Sequence, residues 1–196
     1  MLRYLRYAPE MWRSELNAAV IDLVAPQQGE VVVDIGAGAG AGTTVAAKRG
    51  ATVMAIEPTP YMRRVLGARR LAQRARADIH VIDGTAERLP LGDASANAVW
   101  AVNSLHHWSD LQAGLVEIAR VLKPGGRIVL LDEDFDDPDH PDHDRHKDHD
   151  HPFDMVDGAA LQRVAEEAGL AEIDTTLRSL AGVPVHAVAA SQPREG

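Results

Sequence analysis

The sequence predicts an α/β protein with a doubly wound sheet and helices on both faces. Two observations carry this. Short β-branched apolar runs at 31–35, 52–56, 78–82, 97–103 and 128–132 alternate with longer stretches whose apolar residues recur at helical spacing. The first run also ends in a glycine-rich turn that opens a helix, Asp34-Ile35-Gly36-Ala37-Gly38-Ala39-Gly40-Ala41-Gly42-Thr43. A strand, a Gly-rich turn and a helix N-terminus together make a nucleotide-type site. The 196 residues fit one domain, with an N-terminal helical segment at 1–29 and an acidic, His-rich insert at 133–153.

Taken in order, residues 1–12 read as irregular, with Tyr4, Tyr7 and Trp12. A helix is expected over 13–24, with Leu16, Val20 and Leu23 on one face and Pro26 and Gly29 ending it. After strand 31–35 and the turn, Thr43 is the expected cap of a helix over 44–49, stopped by Gly50. Strand 52–56 runs into Glu57, about 20 residues beyond the first glycine, where a carboxylate binds ribose hydroxyls in such folds. The alternative for Glu57 is an ordinary strand-end charge. Pro58 and Pro60 punctuate the loop before a helix over 61–76, whose arginines (63, 64, 69, 70, 74 and 76) read as a solvated outer face.

The next strand, 78–82, leads to Asp83-Gly84-Thr85-Ala86-Glu87-Arg88-Leu89-Pro90. Strand 97–103 leads to Ser104-Leu105-His106-His107-Trp108. Asp110 caps a helix to 122 carrying Leu111, Leu115, Ile118 and Leu122. Lys123-Pro124-Gly125-Gly126-Arg127 is a turn into strand 128–132. An amphipathic helix over 157–168 and strands at 172–177 and 183–189 close the chain. Ligands bind beyond the carboxyl ends of strands in open α/β sheets, so Asn103, Ser104, His106 and His107 are expected at the site. One of the two histidines suits a general base at neutral pH, the alternative being that His106 and Trp108 simply pack under the loop.

Two ligand classes compete for the glycine turn. Gly36-x-Gly38-x-x-Ala41 fits a loose dinucleotide fingerprint. Asp34-x-Gly36-x-Gly38-x-Gly40 is the better match, and it resembles motif I of the class I S-adenosylmethionine (SAM) methyltransferases. A carboxylate there repels a pyrophosphate but attracts the ammonium and sulfonium of SAM. Three later segments extend the resemblance over about 31–189. Residues 83–91 are similar to the family's segment after strand three, Ser104 to Trp108 to its H-H-W segment, and Lys123 to Gly126 to its LKPGG hairpin. The likeness is to small-molecule enzymes of the ubiquinone/menaquinone-biosynthesis type. It implies a Rossmann-like sheet of seven strands, the last antiparallel.

The resemblance further implies SAM lying over Asp34, Gly36, Ala37, Gly38 and Gly40, with its ribose on Glu57 beside Pro58. Its adenine would lie between Met62 and the Thr85–Ala86 backbone, with the methyl near Asn103, His106 and His107. Thr85 stands where the family usually has Asp, so the adenine amino group falls to the Thr85 hydroxyl, Glu87, Asp83 or a backbone carbonyl. Asn97 likewise stands where the family often has Asp.

Composition narrows the partners. There is no Cys, hence no disulfide, thiolate metal site or Cys nucleophile. No segment reads as a membrane span or signal peptide, so a cytoplasmic protein is expected. The net charge of −9 sits in one segment: 132–154 holds 11 acids and 2 bases, and the rest is balanced. That disfavours nucleic acid and leaves a small-molecule methyl acceptor as the expected partner. Five histidines alternate with carboxylates between 136 and 151. Their spacing admits a metal site, but the prolines and the dense like charge favour an extended acidic lid, and no metal is assigned. The rival functions are a nicotinamide oxidoreductase, a non-catalytic SAM-binding protein and a metal-binding protein.

Overall fold

The computed structural model describes residues 15–146 and 158–194. The expectations for 1–14, for His149, His151 and Pro152, and for the start of the helix at Asp157 lie outside the described residues.

The strands are β1 (Val31–Ile35), β2 (Thr52–Ile56), β3 (Ile79–Ile82), β4 (Ala96–Val102), β5 (Leu122–Glu133), β6 (Ala171–Asp174), β7 (Ser179–Leu180) and β8 (Val183–Ser191). The helices are α1 (Glu15–Val24), α2 (Ala41–Lys48), α3 (Pro60–Leu71), α4 (Leu111–Val121), the single-turn α5 (His143–His146) and α6 (Gly158–Glu167). Short 3-10 turns lie at Arg76–Asp78 and Leu105–His107.

The sheet order is β3-β2-β1-β4-β5-β8-β6, with β7 paired only to β8. Strands β1 to β5 are parallel, and β8 enters antiparallel between β5 and β6. The described residues thus hold eight strands where seven were expected. The expected strand at 172–177 is shorter: β6 stops at Asp174, whose carboxylate accepts from the Thr176 N–H (2.8 Å) and hydroxyl (2.7 Å), and the additional strand β7 lies beyond it at Ser179–Leu180.

Two apolar layers sandwich the sheet. Leu16, Val20, Ile21 and Val24 of α1 and Ala46 and Ala47 of α2 cover Val32, Val53, Trp100 and Leu131. Leu115 and Ile118 of α4 and Leu161 and Ala165 of α6 cover Val33, Ile35, Val99 and Leu130. Alternation along each buried strand sends successive side chains to opposite layers. No helix among the described residues is long and apolar enough to cross a membrane.

Two boundaries differ from the sequence expectation for physical reasons. Helix α2 begins at Ala41, because Gly40 adopts φ +80 and turns the chain into the helix without any side-chain cap. Strand β5 begins at Leu122, which pairs with Ala96 before a bulge over 123–126 restores pairing at Ala98 and Arg127. The Asp110 cap is present, its carboxylate accepting from the Ala113 N–H at 2.9 Å.

Strand order reverses between β1 and β4, with β2 and β3 on one side and β5 on the other. That switch point places the loops after β1, β2, β3, β4 and β5 around one crevice.

Candidate active site

The glycine turn is held from below by backbone. Gly36 N–H and Ala37 N–H both donate to the Ile56 carbonyl (2.9 and 3.0 Å), and Gly40 N–H donates to the Ala37 carbonyl (2.7 Å). Gly36 is constrained by close packing, and Gly40 chiefly by its left-handed backbone at φ +80. A Cβ on Gly36 would stand 2.5 Å from the Ser104 Cβ, and one on Gly40 would stand 2.1 Å from Leu66 Cδ1.

Asp34, expected as a cation-attracting charge, is only 5% exposed. It is buried under the turn, and it accepts from the Thr43 hydroxyl at 2.5 Å. Thr43, expected as a helix cap, instead spends its hydroxyl on this carboxylate from inside α2. Burial pushes the Asp34 pKa up to about 7, opposed by the Thr43 hydrogen bonds. A raised folded pKa means the fold favours the protonated form. This contribution to stability is full below the ordinary value of 3.8 and is lost as pH rises through about 7. The Asp34→Asn protein is therefore expected to lose less stability than the parent between pH 5 and 8, by about 3 kcal/mol. Urea unfolding at the two pH values measures this; parallel curves would remove the role.

Glu57 is also buried, and it grips the turn. Its Oε2 accepts from the Gly38 N–H and its Oε1 from the Thr59 N–H, each at 2.8 Å. Each carboxylate oxygen has a second lone pair, so both remain capable of receiving a vicinal diol. Arg63 of α3 braces the same loop. It donates to the carbonyls of Glu57 (2.8 Å) and Pro58 (2.7 Å) and forks onto Asp83 at 2.8 and 3.0 Å. Arg69 donates to the Ala39 carbonyl (3.0 Å) and Arg70 to the Ile79 carbonyl (2.8 Å). The expected solvated arginine face is thus in part a set of inward braces. Pro58 is exposed, and Met62 lies half-buried in the first turn of α3.

Past β3, Ala86 is buried and Thr85 is exposed. Asp83 is exposed, and its carboxylate takes the Arg63 fork. Glu87 is drawn away as well: it accepts from Ser109 N–H (2.6 Å), Ser109 hydroxyl (2.9 Å) and Asp110 N–H (3.3 Å). Burial alone would raise its pKa, but these bonds, with those from its own backbone and Thr85, bring it below the usual carboxylate value. Asn97 lies at the opposite end of β4, where its amide oxygen accepts from Val31 N–H (3.1 Å) and Lys123 Nζ (2.9 Å).

The loop after β4 is built on Asp132, the penultimate residue of β5. This buried carboxylate accepts from the N–H groups of Ser104 (2.9 Å), Leu105 (3.2 Å) and His106 (3.0 Å). Its Oδ2 also lies 2.9 Å from His106 Nδ1. One carboxylate therefore nucleates the Leu105–His107 turn and fixes the His106 tautomer with its proton on Nδ1 and its lone pair on Nε2. No sequence signal marks Asp132, because it merges with the acidic run that follows. The two imidazoles stand 4.0 Å apart, tilted by 59°. His107 has an exposed edge, yet the atoms crowding it and the neighbouring His106 lower its pKa, against the pull of Asp132 and Glu57. Asn103 is at the crevice, but its amide turns across to Glu133: Nδ2 donates to Oε1, and Oδ1 accepts from the Glu133 N–H at 2.9 Å.

The first half of the acidic segment is folded, not extended. Asp134 Oδ1 accepts from the N–H groups of Asp136 and Asp137 (both 3.2 Å), and His143 Nδ1 lies 3.0 Å from the Phe135 carbonyl. Among the described residues no three His, Cys, Asp or Glu side chains converge as a metal set.

A family model described as a methyltransferase domain matches residues 33–130, half of the chain. The chain belongs to this methyltransferase family. It is 40% identical over 124 residues to an uncharacterized methyltransferase of Mycobacterium tuberculosis, covering 63% of this chain and 48% of that one. It is 39% identical over 121 residues to a demethylmenaquinone methyltransferase of Clavibacter sepedonicus, covering 62% and 46%. The chain thus spans about half the length of these curated relatives. Its fold matches the crystal structure of a SAM-dependent methyltransferase from Aquifex aeolicus, with a TM-score of 0.73 at 18% identity over 94% of this chain and 93% of that one.

Proposed function

We propose that the protein transfers a methyl group from SAM to a small-molecule acceptor, with His106 as the general base. The observation that carries the acceptor half is the Asp132–His106 pair at the end of β4 and β5. The cofactor half rests on the Glu57 carboxylate, which already holds the glycine turn and keeps lone pairs for a ribose diol. The residues present fit SAM: Gly36, Ala37, Gly38 and Gly40 would let it approach the backbone, Met62 and the Thr85–Ala86 backbone would flank its adenine, and Glu57 would take its ribose.

Bound there, SAM supplies an electrophilic methyl group on a sulfonium. The protein's part is to align the acceptor and take its proton. His106 Nε2 receives that proton, and Asp132 at Nδ1 stabilises the resulting imidazolium while keeping the ring oriented. Asp34 and Glu87 are supports in this scheme, not ligands. Asn103 orders the loop. An aromatic or quinol-type hydroxyl is the acceptor class we favour, following the resemblance and the name of the Clavibacter relative. A cytoplasmic location and the absence of a nucleic-acid partner belong to the same proposal.

The test is an acceptor screen that reads S-adenosylhomocysteine release, beside calorimetric titrations with S-adenosylhomocysteine and NADH. Binding of the former and turnover of a phenolic or quinol acceptor are expected. Tighter binding of NADH would overturn the cofactor assignment, and cofactor binding without turnover of any acceptor would leave a SAM-binding protein. Glu57→Ala is expected to lose about 1–3 kcal/mol of cofactor affinity, since it strands two hydroxyls and frees the Gly38 N–H. Parent-like affinity in that variant would reduce Glu57 to a loop staple.

A further inference from the structure

Glu133 and His140 take no part in the chemistry above, yet they form an enclosed polar contact beside it. His140 is only 4% exposed. Its Nδ1 accepts from the Asp142 N–H at 3.0 Å, so its proton lies on Nε2, 3.0 Å from Glu133 Oε2. Its ring packs on Phe135, with centroids 4.5 Å apart. The other Glu133 oxygen accepts from Asn103, whose own carbonyl is held by the Glu133 N–H.

This lock falls on a backbone position that needs one. Asn103 adopts φ +51, a left-handed conformation that costs a non-glycine residue energy unless its surroundings enforce it. The next residue, Ser104, is the first of the three whose amides converge on Asp132. The orientation of Asn103 therefore sets where the His106 turn begins. An apolar side chain at 140 would fill the same space against Phe135 without desolvating a carboxylate pair, so cohesion alone does not call for histidine here.

We propose that His140 is a positioning residue that clamps the acidic segment after β5 onto the acceptor side of the site, through Glu133 to Asn103 and the turn bearing His106. The kinetic part of this proposal rests on the methyl-transfer function; the clamp itself does not.

The test uses the full chain with His140→Leu, which removes the donor to Glu133, and His140→Gln, which can still present one. An aspartate-directed protease reads the ordering of 134–146, calorimetry with S-adenosylhomocysteine reads the cofactor side, and kcat and KM for an acceptor read the turn. For His140→Leu the expected results are cleavage within 134–146 faster by about tenfold, kcat lower by about tenfold, and cofactor affinity within about twofold of the parent. His140→Gln is expected to recover most of the protection and of kcat, which a purely space-filling role would not produce. Parent-like protection and kcat in His140→Leu, or identical losses in the two variants, would overturn the clamp. If His140→Leu fails to fold, Glu133→Gln decides: lost protection is expected, and parent-like protection overturns. A parent that methylates no acceptor would sink the proposed function alone, because the protease measurement still decides the clamp.

Discussion

Replacing His106 with alanine is expected to lower kcat by about 10²–10⁴-fold, the usual worth of a positioned general base. Cofactor affinity should change by less than about threefold, because nothing in the cofactor half depends on this imidazole. The expectation follows from orientation. Asp132 holds His106 at Nδ1, so the basic lone pair lies on Nε2 in a fixed direction. Crowding and the neighbouring His106 lower the His107 pKa. The orienting carboxylate is the one bound to His106, whose ring stands 4.0 Å away, so His107→Ala should have the smaller effect on kcat. Steady-state kinetics of the two variants, with S-adenosylhomocysteine calorimetry on each, checks this. A larger loss in His107→Ala would exchange their roles, and equal activity in both would make them packing residues.

Removing the Asp132 carboxylate should cost more stability than any other single truncation near the crevice. Asp132→Ala strands three backbone N–H groups and one imidazole N–H in a site where Asp132 itself is only 6% exposed. Each orphaned buried donor costs about 1–3 kcal/mol, and such costs do not add fully, so a total of about 3–5 kcal/mol is expected. Asp132→Asn should cost less, since its amide oxygen can still accept from Ser104 and Leu105. It should nevertheless lose most of kcat, because an NH₂ group then opposes the donors of His106. Urea unfolding gives the first quantity and turnover the second. A loss below about 1 kcal/mol in Asp132→Ala would mean that the turn orders itself without the carboxylate.

The sheet was legible because buried parallel strands must be apolar runs, and five of them stand out between polar or glycine-rich connections. The place of Glu57 beside the glycine turn was legible for a similar reason: its distance from the glycines is set by the length of one strand–helix–strand unit. The carboxylates that act across the fold were not. Asp132 meets its amides 26 to 28 positions earlier in the chain, and no local pattern encodes that contact. Asp34 has the residue type expected of a ligand-facing acid, yet its partner is the hydroxyl of Thr43, nine residues on. The arginines of α3 follow an outward periodicity, but a guanidinium on three methylenes reaches back to the carbonyls of neighbouring loops. The folded start of the acidic segment was hidden by composition. Its charge density argues for an extended chain, whereas carboxylate-to-amide turns and one buried imidazole fold it.

Strand β5 carries a constraint on how this protein can change. Asp132 and Glu133 are consecutive, and the pleat that sends Leu130 and Leu131 to opposite layers also separates the two carboxylates. A ladder of seven pairs with β8, from Arg127–Ser191 to Glu133–Val185, fixes this phase. A one-residue insertion or deletion within 127–131 would exchange the destinations of the two acids and turn the apolar set inside out, whereas a two-residue change would preserve parity. Lengthening beyond His140 alters neither. Drift in length should therefore accumulate beyond His140 and be absent within 127–131.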